Sequence, residues 1–417
     1  MAKKKSRFRI FIKQFLLVLN ILVTVLFLYP IFFYPLPFIW INGFLGIAAP
    51  YLILIEFLLI ILWLLAKPLF ALLPLISLIV GWKVISVLFA WHPGTPFPAK
   101  RKNNHLRIAS WNIKEFNGSE EMAAGHKFRA EEIAYSIQKW DPDVICLQEY
   151  NTKEKPNDAA NHALYFEKKY PHSFFSKDYQ TADPNYFAGC IIYSKYPIID
   201  AKRTPFENGE SVIYTTILKG DDTIRVYTTH LASYRFKEND FEFHEKPTND
   251  LEVKANRGVA RKMKKAFVER AVQAEIVRAE IDQSPYPTII TGDFNDVPSS
   301  YTYKTIKGNW QDAFLQKGFG IGLTFMGLSP TLRIDYILAN DHWEVKGWES
   351  VDENLSDHHM ILSDLLLKKN LAFQFPKIKY LWGILCHLSY TTHSADKKKY
   401  LSPSTHPMLG CMFVDLP

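Results

Sequence analysis

Three long apolar runs occupy the first quarter of the chain and limit what that part can fold into. They cover residues 15–33, 44–65 and 69–91, and the first is interrupted by only three polar side chains. Because roughly 20 consecutive apolar residues span a bilayer, we predict about three membrane helices within residues 1–92. A cleavable signal peptide is the alternative for the first run, but that run is longer than a signal-peptide core and further apolar runs follow it.

Basic residues flank the apolar region on both sides. Six lysines and arginines lie within the first 13 residues. Such clusters stay cytoplasmic, so an odd number of crossings predicts an integral membrane protein whose remaining part is extracytoplasmic. The bases Lys100, Arg101, Lys102 and Arg107 follow the last run and favour the opposite orientation.

A proline-rich connector separates the apolar region from the rest of the chain. We therefore predict a membrane region at 1–92, a linker at 93–104, a further domain at 105–369 and a tail of unknown role at 370–417. The formal net charge of +7 is modest for 417 residues and belongs partly to the membrane-flanking lysines. Charge alone therefore does not indicate a nucleic-acid-binding protein.

Short β-rich runs recur after the linker and alternate with two helical patterns. Strands are predicted at 106–113, 143–149, 189–194, 212–218, 223–230, 288–293 and 334–338, and helices at 120–140 and 257–281. This mixture favours an α+β class in which packed sheets are covered by helices. The highly charged segment 236–254 is expected to be a loop, either a substrate lid or a solvated excursion.

A carboxylate and an amide follow two of these strands. Glu149 ends the nearly all-apolar run 144–148, which would bury a strand and deliver one carboxylate at its end. Magnesium needs such an oxygen ligand and keeps several waters, so one or two partners would suffice. Asn112, at the end of the first strand, can orient that carboxylate or donate to a phosphate oxygen. Ordinary turn chemistry is the alternative for Asn112.

Asp293 and Asn295 follow another strand and flank Phe294. Strand periodicity would send both polar side chains to one side while the phenylalanine anchors the turn in the core. The carboxylate can align or deprotonate water, and the amide can donate to charge that develops on phosphate. In isolation, the same residues also suit an ordinary turn.

Two histidines and two further acids complete the candidate set. Asp335 lies in the otherwise apolar run 333–337, and buried carboxylates are rare unless they have a partner. We expect Asp335 to hold His358 in its charged form, so that the imidazole can bind a substrate phosphate. Asp357 precedes His358 in the sequence and adds a negative charge next to the imidazole. His230, at the end of a strand, could act as leaving-group acid or phosphate ligand.

The order of these motifs between residues 106 and 367 resembles the endonuclease/exonuclease/phosphatase superfamily, which has the deoxyribonuclease-I-like fold. The resemblance is carried by Ser110-Trp111-Asn112-Ile113, Leu147-Gln148-Glu149, Thr229-His230-Leu231, Thr291-Gly292-Asp293-Phe294-Asn295, Arg333-Ile334-Asp335-Tyr336-Ile337 and Ser356-Asp357-His358. It implies a four-layer α/β/β/α sandwich, in which two packed, mostly antiparallel sheets are flanked by helices.

The resemblance also implies chemistry: Mg²⁺ or Mn²⁺ as cofactor and direct attack of water on phosphorus. It assigns catalytic roles to His230, Asp293, Asn295, Asp335 and His358, metal binding to Asn112, Glu149 and Asp357, and substrate binding to Asn112, His230, Asn295 and His358. The family nucleases carry a further acid and a basic residue that cannot be aligned within 151–195, where Asn185 and Tyr186 are the candidates.

The sequence thus predicts a membrane-anchored, divalent-metal-dependent phosphoesterase that hydrolyses a phosphodiester or phosphomonoester. The substrate could be a nucleic acid, a nucleotide or a lipid head group, and no protein partner can be inferred. A DNA or RNA nuclease and a phospholipid or sphingolipid head-group hydrolase are the enzymatic alternatives. A catalytically inactive, membrane-tethered binding protein is the alternative from another class. A basic helix supports the nuclease, with Arg257, Arg261, Lys262, Lys264, Lys265 and Arg270 as candidates.

Overall fold

The structure is a computed structural model, and it covers the apolar region and the predicted catalytic domain. It describes residues 2–33, 39–94, 96–116, 126–155, 158, 160–236, 249–327 and 329–368. The described residues belong to one compact unit that ends at Lys368. The predictions for the tail at 370–417 and for residues 237–248 lie outside the described residues.

Two long helices form most of the apolar region. Helix α1 spans Ala2–Phe32 and helix α2 spans Ile41–Ala66. The stretches Ile10–Phe32 and Ile41–Ala66 are long and apolar enough to cross a membrane. Lys67 is extended and ends α2, because Pro68 follows it and the residue before a proline disfavours helical backbone.

The third apolar run forms a bent pair of short helices, where the sequence predicts one continuous helix over 69–91. Helix α3 (Leu72–Val80) and helix α4 (Trp82–Leu88) meet at 63°. Gly81 lies at the bend, and a Cβ atom there would lie 2.3 Å from Cε1 of Phe27. The run then ends in an extended segment, strand β1 (Ala90–Trp91), instead of helix.

A buried carboxylate joins the apolar segments. Glu56 of α2 accepts hydrogen bonds from Thr24 Oγ1 at 3.1 Å and Ser77 Oγ at 3.0 Å. Lys83, another charged residue of the apolar runs, is exposed. Hydroxyl groups of two neighbouring segments therefore solvate Glu56, as an apolar environment requires.

Strands dominate the chain after the linker. The strands are β2 (His105–Asn112), β3 (Val144–Lys153), β4 (His172–Phe175), β5 (Tyr179–Gln180), β6 (Tyr186–Ser194), β7 (Ile198–Pro205), β8 (Ser211–Lys219), β9 (Asp222–His230), β10 (Thr288–Asp293), β11 (Gln311–Asp312), β12 (Phe319–Gly320), β13 (Asp335–Ala339), β14 (Trp343–Val351) and β15 (Met360–Leu367). The helices are α5 (His126–Lys139), α6 (Asn249–Asp282), α7 (Tyr301–Lys307) and α8 (Ala313–Lys317).

Two large sheets pack face to face. One has the order β14-β15-β2-β3-β6-β4, with β5 also paired to β6, and the other has the order β11-β13-β10-β9-β8-β7. Most neighbours are antiparallel, and the exceptions in the two sheets are the parallel pairs β2–β3 and β9–β10. Residues such as Ile108, Val144, Val226 and Ile289 fill the space between the sheets.

Helices cover both outer faces of this pair of sheets. Ile133 and Ile137 of α5 pack on the first sheet, while Ala274 and Val277 of α6 pack on the second. The predicted α+β sandwich, with apolar helices before it, is confirmed. One boundary is wrong: residues 249–254, predicted as loop, begin α6, because helix-favouring Leu, Glu and Lys outweigh the lack of apolar period there.

Candidate active site

The sheet register brings the predicted residues to one edge. In the first sheet, β2 and β3 run parallel and place Asn112 opposite Gln148, next to Glu149. In the second sheet, parallel pairing of β9 and β10 sets His230 opposite Asp293. Strand β13 runs antiparallel to β10 and sets Asp335 on the other side of Asp293. The polar strand ends of both sheets therefore meet above the shared core.

Gly292 is the residue that allows β9 and β10 to approach at this edge. Its φ is +136°, and an added Cβ would lie only 2.0 Å from the carbonyl oxygen of Thr229. Only glycine fits such a close approach of two backbones. The glycine before Asp293 therefore sets the spacing of the two strands that carry His230 and Asp293.

Local backbone irregularities aim two of the functional side chains. The register of β3 against β6 shifts between Leu147 and Tyr150, which marks a bulge at Glu149. Glu149 has φ +51° and Asn295 has φ +52°, a region that non-glycine residues rarely occupy. Strained backbone of this kind costs of order 1–3 kcal/mol per residue and clusters at functional sites.

Asn112 joins the two sheets through its side chain. Its Nδ2 donates to Glu149 Oε1 and to Asp293 Oδ2, at 3.1 Å in both cases. Its Oδ1 accepts from the backbone N–H of Lys114 at 3.0 Å. Asn112 therefore orients two carboxylates. To bind a metal as predicted, its amide must flip so that Oδ1, in place of Nδ2, faces the ion.

His358 and Asp335 form a buried ion pair. His358 Nδ1 lies 3.0 Å from Asp335 Oδ2, and its Nε2 lies 3.7 Å from Asp293 Oδ2. Trp111 Nε1 fixes the backbone by donating to the His358 carbonyl at 2.8 Å. Burial alone would lower the pKa of His358, but the carboxylates of Asp335 and Asp293 raise it to about 10. The imidazole is therefore positively charged at neutral pH.

Asp293 is the centre of the hydrogen-bond network. Besides the bond from Asn112, it accepts from Asn295 through the backbone N–H at 2.7 Å and through Nδ2 at 3.2 Å. Burial raises the pKa of Asp293 above its usual range, and the two nearby histidines oppose that rise. Asn295 Nδ2 also donates to the Leu231 carbonyl at 3.0 Å, which holds this amide beside the carboxylate.

His230 lies between several acids. Its Nε2 is 3.5 Å from Glu149 Oε1 and 3.7 Å from Asp293 Oδ2, and has no hydrogen-bond partner among the described residues. Its Nδ1 is 3.9 Å from Glu210 Oε1. Burial would lower the pKa of His230, yet Glu210, Glu149 and Asp293 together raise it. Glu210 follows a turn and precedes β8, so strand periodicity gives no signal for it.

Asp357 and Lys114 lie together at the exposed side of the site. Lys114 Nζ is 3.0 Å from Asp357 Oδ2, and both side chains are partly exposed. Sequence reasoning missed Lys114, which follows Asn112 in a short turn after β2. Asn185 and Tyr186 are not among the described residues that line the cleft, whereas Lys114 and Arg235 do line it.

These residues open into a cleft of about 800 Å³. Its polar end is formed by Lys114, Glu149, Asp293, Asn295, Asp357 and His358. Its lining also includes an apolar cluster, in which Ile47 of α2 packs with Val297, Leu332 and Ile334. The cleft therefore combines a set of charged groups with a wall from the apolar helical region.

The donor set of the polar end fits a hard divalent cation. Glu149 and Asp293 approach the same Asn112 amide, and a cation would relieve the repulsion between the two carboxylates. Asp293, Asp335 and His358 also offer ligand atoms within 4.8 Å of one another, although His358 Nδ1 is already paired with Asp335. Carboxylate oxygens without a thiolate suit Mg²⁺ or Mn²⁺.

Two sequence-family models match parts of this chain. The sequence model of the Endonuclease/Exonuclease/phosphatase family matches residues 109–358. This chain belongs to the endonuclease/exonuclease/phosphatase family. A second model, of a domain of unknown function, matches residues 13–88 in the apolar region. No curated protein matches the chain significantly.

Several solved structures are similar to this chain. An endonuclease/exonuclease/phosphatase from Beutenbergia cavernae DSM 12333 is 21% identical over 64% of this chain and 72% of its own, with TM-score 0.41. Sphingomyelinase C from Streptomyces griseocarneus is 17% identical over 62% of this chain and 99% of its own, with TM-score 0.41. The catalytic domain of human Nocturnin is 16% identical over 64% and 97%, with TM-score 0.45.

Proposed function

We propose that this chain is a membrane-anchored, divalent-metal-dependent phosphoesterase in which water attacks phosphorus directly. One observation carries the proposal: Glu149, Asp293 and the Asp335–His358 pair, which lie far apart in sequence, converge at the polar end of one cleft. Acids, imidazoles and amides at hydrogen-bonding distance are the groups that hydrolysis of a phosphoester needs.

Each group has a role that follows from its contacts. Asp293, oriented by Asn112 and Asn295, accepts a proton from water as the new O–P bond forms, and its raised pKa makes it a better base. Charged His358 donates to a phosphoryl oxygen and offsets the negative charge that grows there. His230 gives a proton to the leaving oxygen as the old P–O bond breaks.

The metal would be held by Glu149, Asp357 and, after its amide turns over, Asn112. When bound, Mg²⁺ or Mn²⁺ supplies positive charge to the phosphoryl oxygens. Asn295 would bind the substrate together with His358 and Asn112. The protein's own contribution is mainly to position these groups and to exclude bulk water.

The contacts of two arginines support an extracytoplasmic catalytic domain. Arg101 Nε lies 3.0 Å from Asp143, and Arg107 Nε lies 2.7 Å from Asp364. Both bases are therefore neutralised within the catalytic domain and do not act as free charges beside the bilayer. Two of the four bases that conflict with a cytoplasmic N-terminus are thus accounted for, while Lys100 and Lys102 are exposed.

The test of this function uses full-length protein and bis(p-nitrophenyl) phosphate. We expect turnover with Mg²⁺ and none with EDTA. Asp293→Asn or His358→Gln should lower kcat about 10²- to 10⁴-fold, because each removes a proton-transfer or charge-stabilising group. Asp341 and His342 offer matched controls, since both side chains are exposed.

The controls Asp341→Asn and His342→Gln should retain wild-type turnover. Circular dichroism of each variant separates a lost catalytic group from a lost fold. Full turnover by folded Asp293→Asn or His358→Gln protein would refute the proposal, as would EDTA-resistant turnover by the wild type.

A further inference from the structure

The wall of the active-site cleft is built partly from a helix of the apolar region. Ile47 of α2 packs against Val297, Leu332 and Ile334, which come from loops around the site. Ser299 Oγ donates to the Gly46 carbonyl at 2.9 Å, and the hydroxyls of Tyr51 and Ser329 are 2.7 Å apart. The first turns of α2 are therefore docked on the catalytic domain beside the site.

Glycines in α2 allow this close docking. A Cβ at Gly43 would lie 2.5 Å from the ring of Phe267, and one at Gly46 would lie 3.3 Å from Ser299 Oγ. Phe44 also packs edge-on against Phe267, with ring centroids 5.2 Å apart. The sequence of α2 therefore fits the surface of the catalytic domain as well as a bilayer.

An exposed apolar stripe continues from the cleft along α2. Residues 47, 51, 54 and 58 follow helical spacing and so share one face. Ile47 is half-buried at the cleft, whereas Tyr51, Leu54 and Leu58 are exposed. The apolar end of the cleft is thus continuous with the surface that would face lipid chains.

An exposed aromatic cluster lies beside the catalytic domain. Trp91 and Phe319 are exposed and lie 5.4 Å apart, and Phe89 contacts both of them. Phe319 belongs to the catalytic domain, where β12 pairs with β1. Tryptophan is enriched at membrane–water interfaces, so Trp91, and with it the adjacent Phe319 of the catalytic domain, would lie near the lipid head groups.

Helix α6 also presents an apolar face to the cleft. Val259 and Met263, four residues apart, line the cleft. The bases Arg261, Lys264 and Lys265 are exposed on the helix, and Lys264 Nζ lies 5.0 Å from the ring of Trp40. Arg261, Lys264 and Lys265, which favoured a nuclease, are therefore not among the described residues that line the cleft.

We infer that the substrate is a bilayer-resident phosphoester whose alkyl chain lies along Ile47, Met263 and Leu332 while its phosphate occupies the polar end. This inference rests on the proposed phosphoesterase function and specifies its substrate class. The chain enters sideways from the bilayer along α2. Water forms a new O–P bond as one ester P–O bond breaks, so the leaving group is the alcohol on one side of the phosphate, either the head group or the alkyl-chain alcohol.

The test varies the alkyl chain while the scissile bond stays constant. Full-length protein in dioleoylphosphatidylcholine nanodiscs is given methyl, butyl and octyl p-nitrophenyl phosphate, and nitrophenol release is measured. Because each buried methylene favours binding, kcat/KM should rise about tenfold or more from methyl to octyl. Partitioning of the octyl ester into the bilayer also raises its kcat/KM relative to the methyl ester. Variants must therefore distinguish binding in the cleft from partitioning into the lipid.

Two matched pairs of variants make that separation. Met263→Glu puts a charge into the apolar wall of the cleft, while Val272→Glu introduces the same charged side chain at an exposed position of α6. Ile47→Ser and Ile61→Ser form the second pair on α2, where Ile61 is exposed. The ratio of kcat/KM for the octyl ester to kcat/KM for the methyl ester should fall at least about fivefold in the cleft variants. It should remain at the wild-type value in the controls.

The outcomes distinguish failure of this inference from failure of the function. Hydrolysis of the methyl ester with no chain-length dependence, or with equal ratios in cleft and control variants, would overturn the lipid substrate and leave the phosphoesterase intact. No hydrolysis of any ester would count against the phosphoesterase itself.

A binding measurement tests where the alkyl chain lies without requiring turnover. An octyl phosphate with a terminal diazirine should label peptides that contain Ile47 or Met263 in full-length Asp293→Asn protein. Met263→Glu should reduce that labelling. Labelling confined to the outer faces of α1 and α2, with no loss in Met263→Glu, would exclude the proposed chain position.

Discussion

His358 Nδ1 lies 3.0 Å from Asp335 Oδ2, and the two side chains are almost completely buried. Asp335 comes from the start of β13 and His358 from the turn before β15, so the pair joins the two sheets across the site. The carboxylate holds the imidazole in its charged form and in one orientation. The other ring nitrogen, Nε2, then points towards Asp293.

The first prediction concerns this pair. Asp335→Asn should lower kcat by about a hundredfold or more, because the amide no longer stabilises the imidazolium. The pKa of His358, now raised to about 10, should fall towards its ordinary range. The charged form would then be lost at lower pH, so activity should decline earlier on the alkaline side.

NMR titration of the histidines in Asp335→Asn measures the pKa of His358 directly, and so tests the role of Asp335 separately from activity. The exposed pair of Asp341 and His342 supplies the control, since Asp341→Asn should leave both titration and turnover unchanged. An unaltered His358 titration in Asp335→Asn would contradict the assignment.

The second prediction concerns the close approach of β9 and β10. Gly292→Ala places a Cβ where the Thr229 carbonyl oxygen already lies, so the strands must separate. We expect a loss of about 2 kcal/mol or more in the free energy of unfolding, together with lost activity. Gly258→Ala is the control, because a Cβ there meets open space. In helix α6 it should be neutral or slightly stabilising.

Sequence periodicity predicts the central strands well, for a physical reason. The run 288–293 coincides with β10, since Pro287 limits one end and Gly292-Asp293 marks the other. Strand β7 was missed because an edge strand, half exposed, carries Asp200 and Arg203 without a strict alternation. Strand β14 was missed because its pairing shifts register near Gly347.

The candidate site was predictable where functional residues end strands. Asp293 ends strand β10 and Asp335 begins strand β13. Antiparallel pairing of these two strands sets the two carboxylates side by side. Glu210 and Lys114 lie in turns without periodicity, so only the packed structure brings them to the site. The role of Ile47 was also hidden, because docking of α2 leaves no local pattern within an all-apolar helix.

The third prediction concerns the cation. Glu149→Gln should raise the Mg²⁺ concentration needed for half-maximal activity at least about tenfold, because a neutral amide is a weaker ligand than a carboxylate. Titration calorimetry with Mn²⁺ measures the same loss without turnover. Glu154→Gln, at an exposed carboxylate soon after β3, serves as control. Equal Mn²⁺ affinity in Glu149→Gln and wild-type protein would remove Glu149 from the metal site.

The fourth prediction concerns the ion pair that fastens the linker to the first sheet. Arg107 makes two hydrogen bonds to Asp364, at 2.7 and 2.8 Å, and donates to the Pro98 and Ala99 carbonyls. Asp364→Ala leaves a buried guanidinium without its counter-ion and should cost about 3–5 kcal/mol in denaturant unfolding followed by tryptophan fluorescence.

The exposed carboxylate of Asp341 provides the comparison for Asp364. Asp341→Ala should shift the unfolding midpoint very little, because a solvated carboxylate contributes about 0–1 kcal/mol. The double change Arg107→Met with Asp364→Leu should recover most of the lost stability, since apolar side chains of similar size can replace a buried pair. If Asp364→Ala unfolds at the same denaturant concentration as Asp341→Ala, the pair does not fasten the linker, and the orientation argument built on Arg107 loses its support.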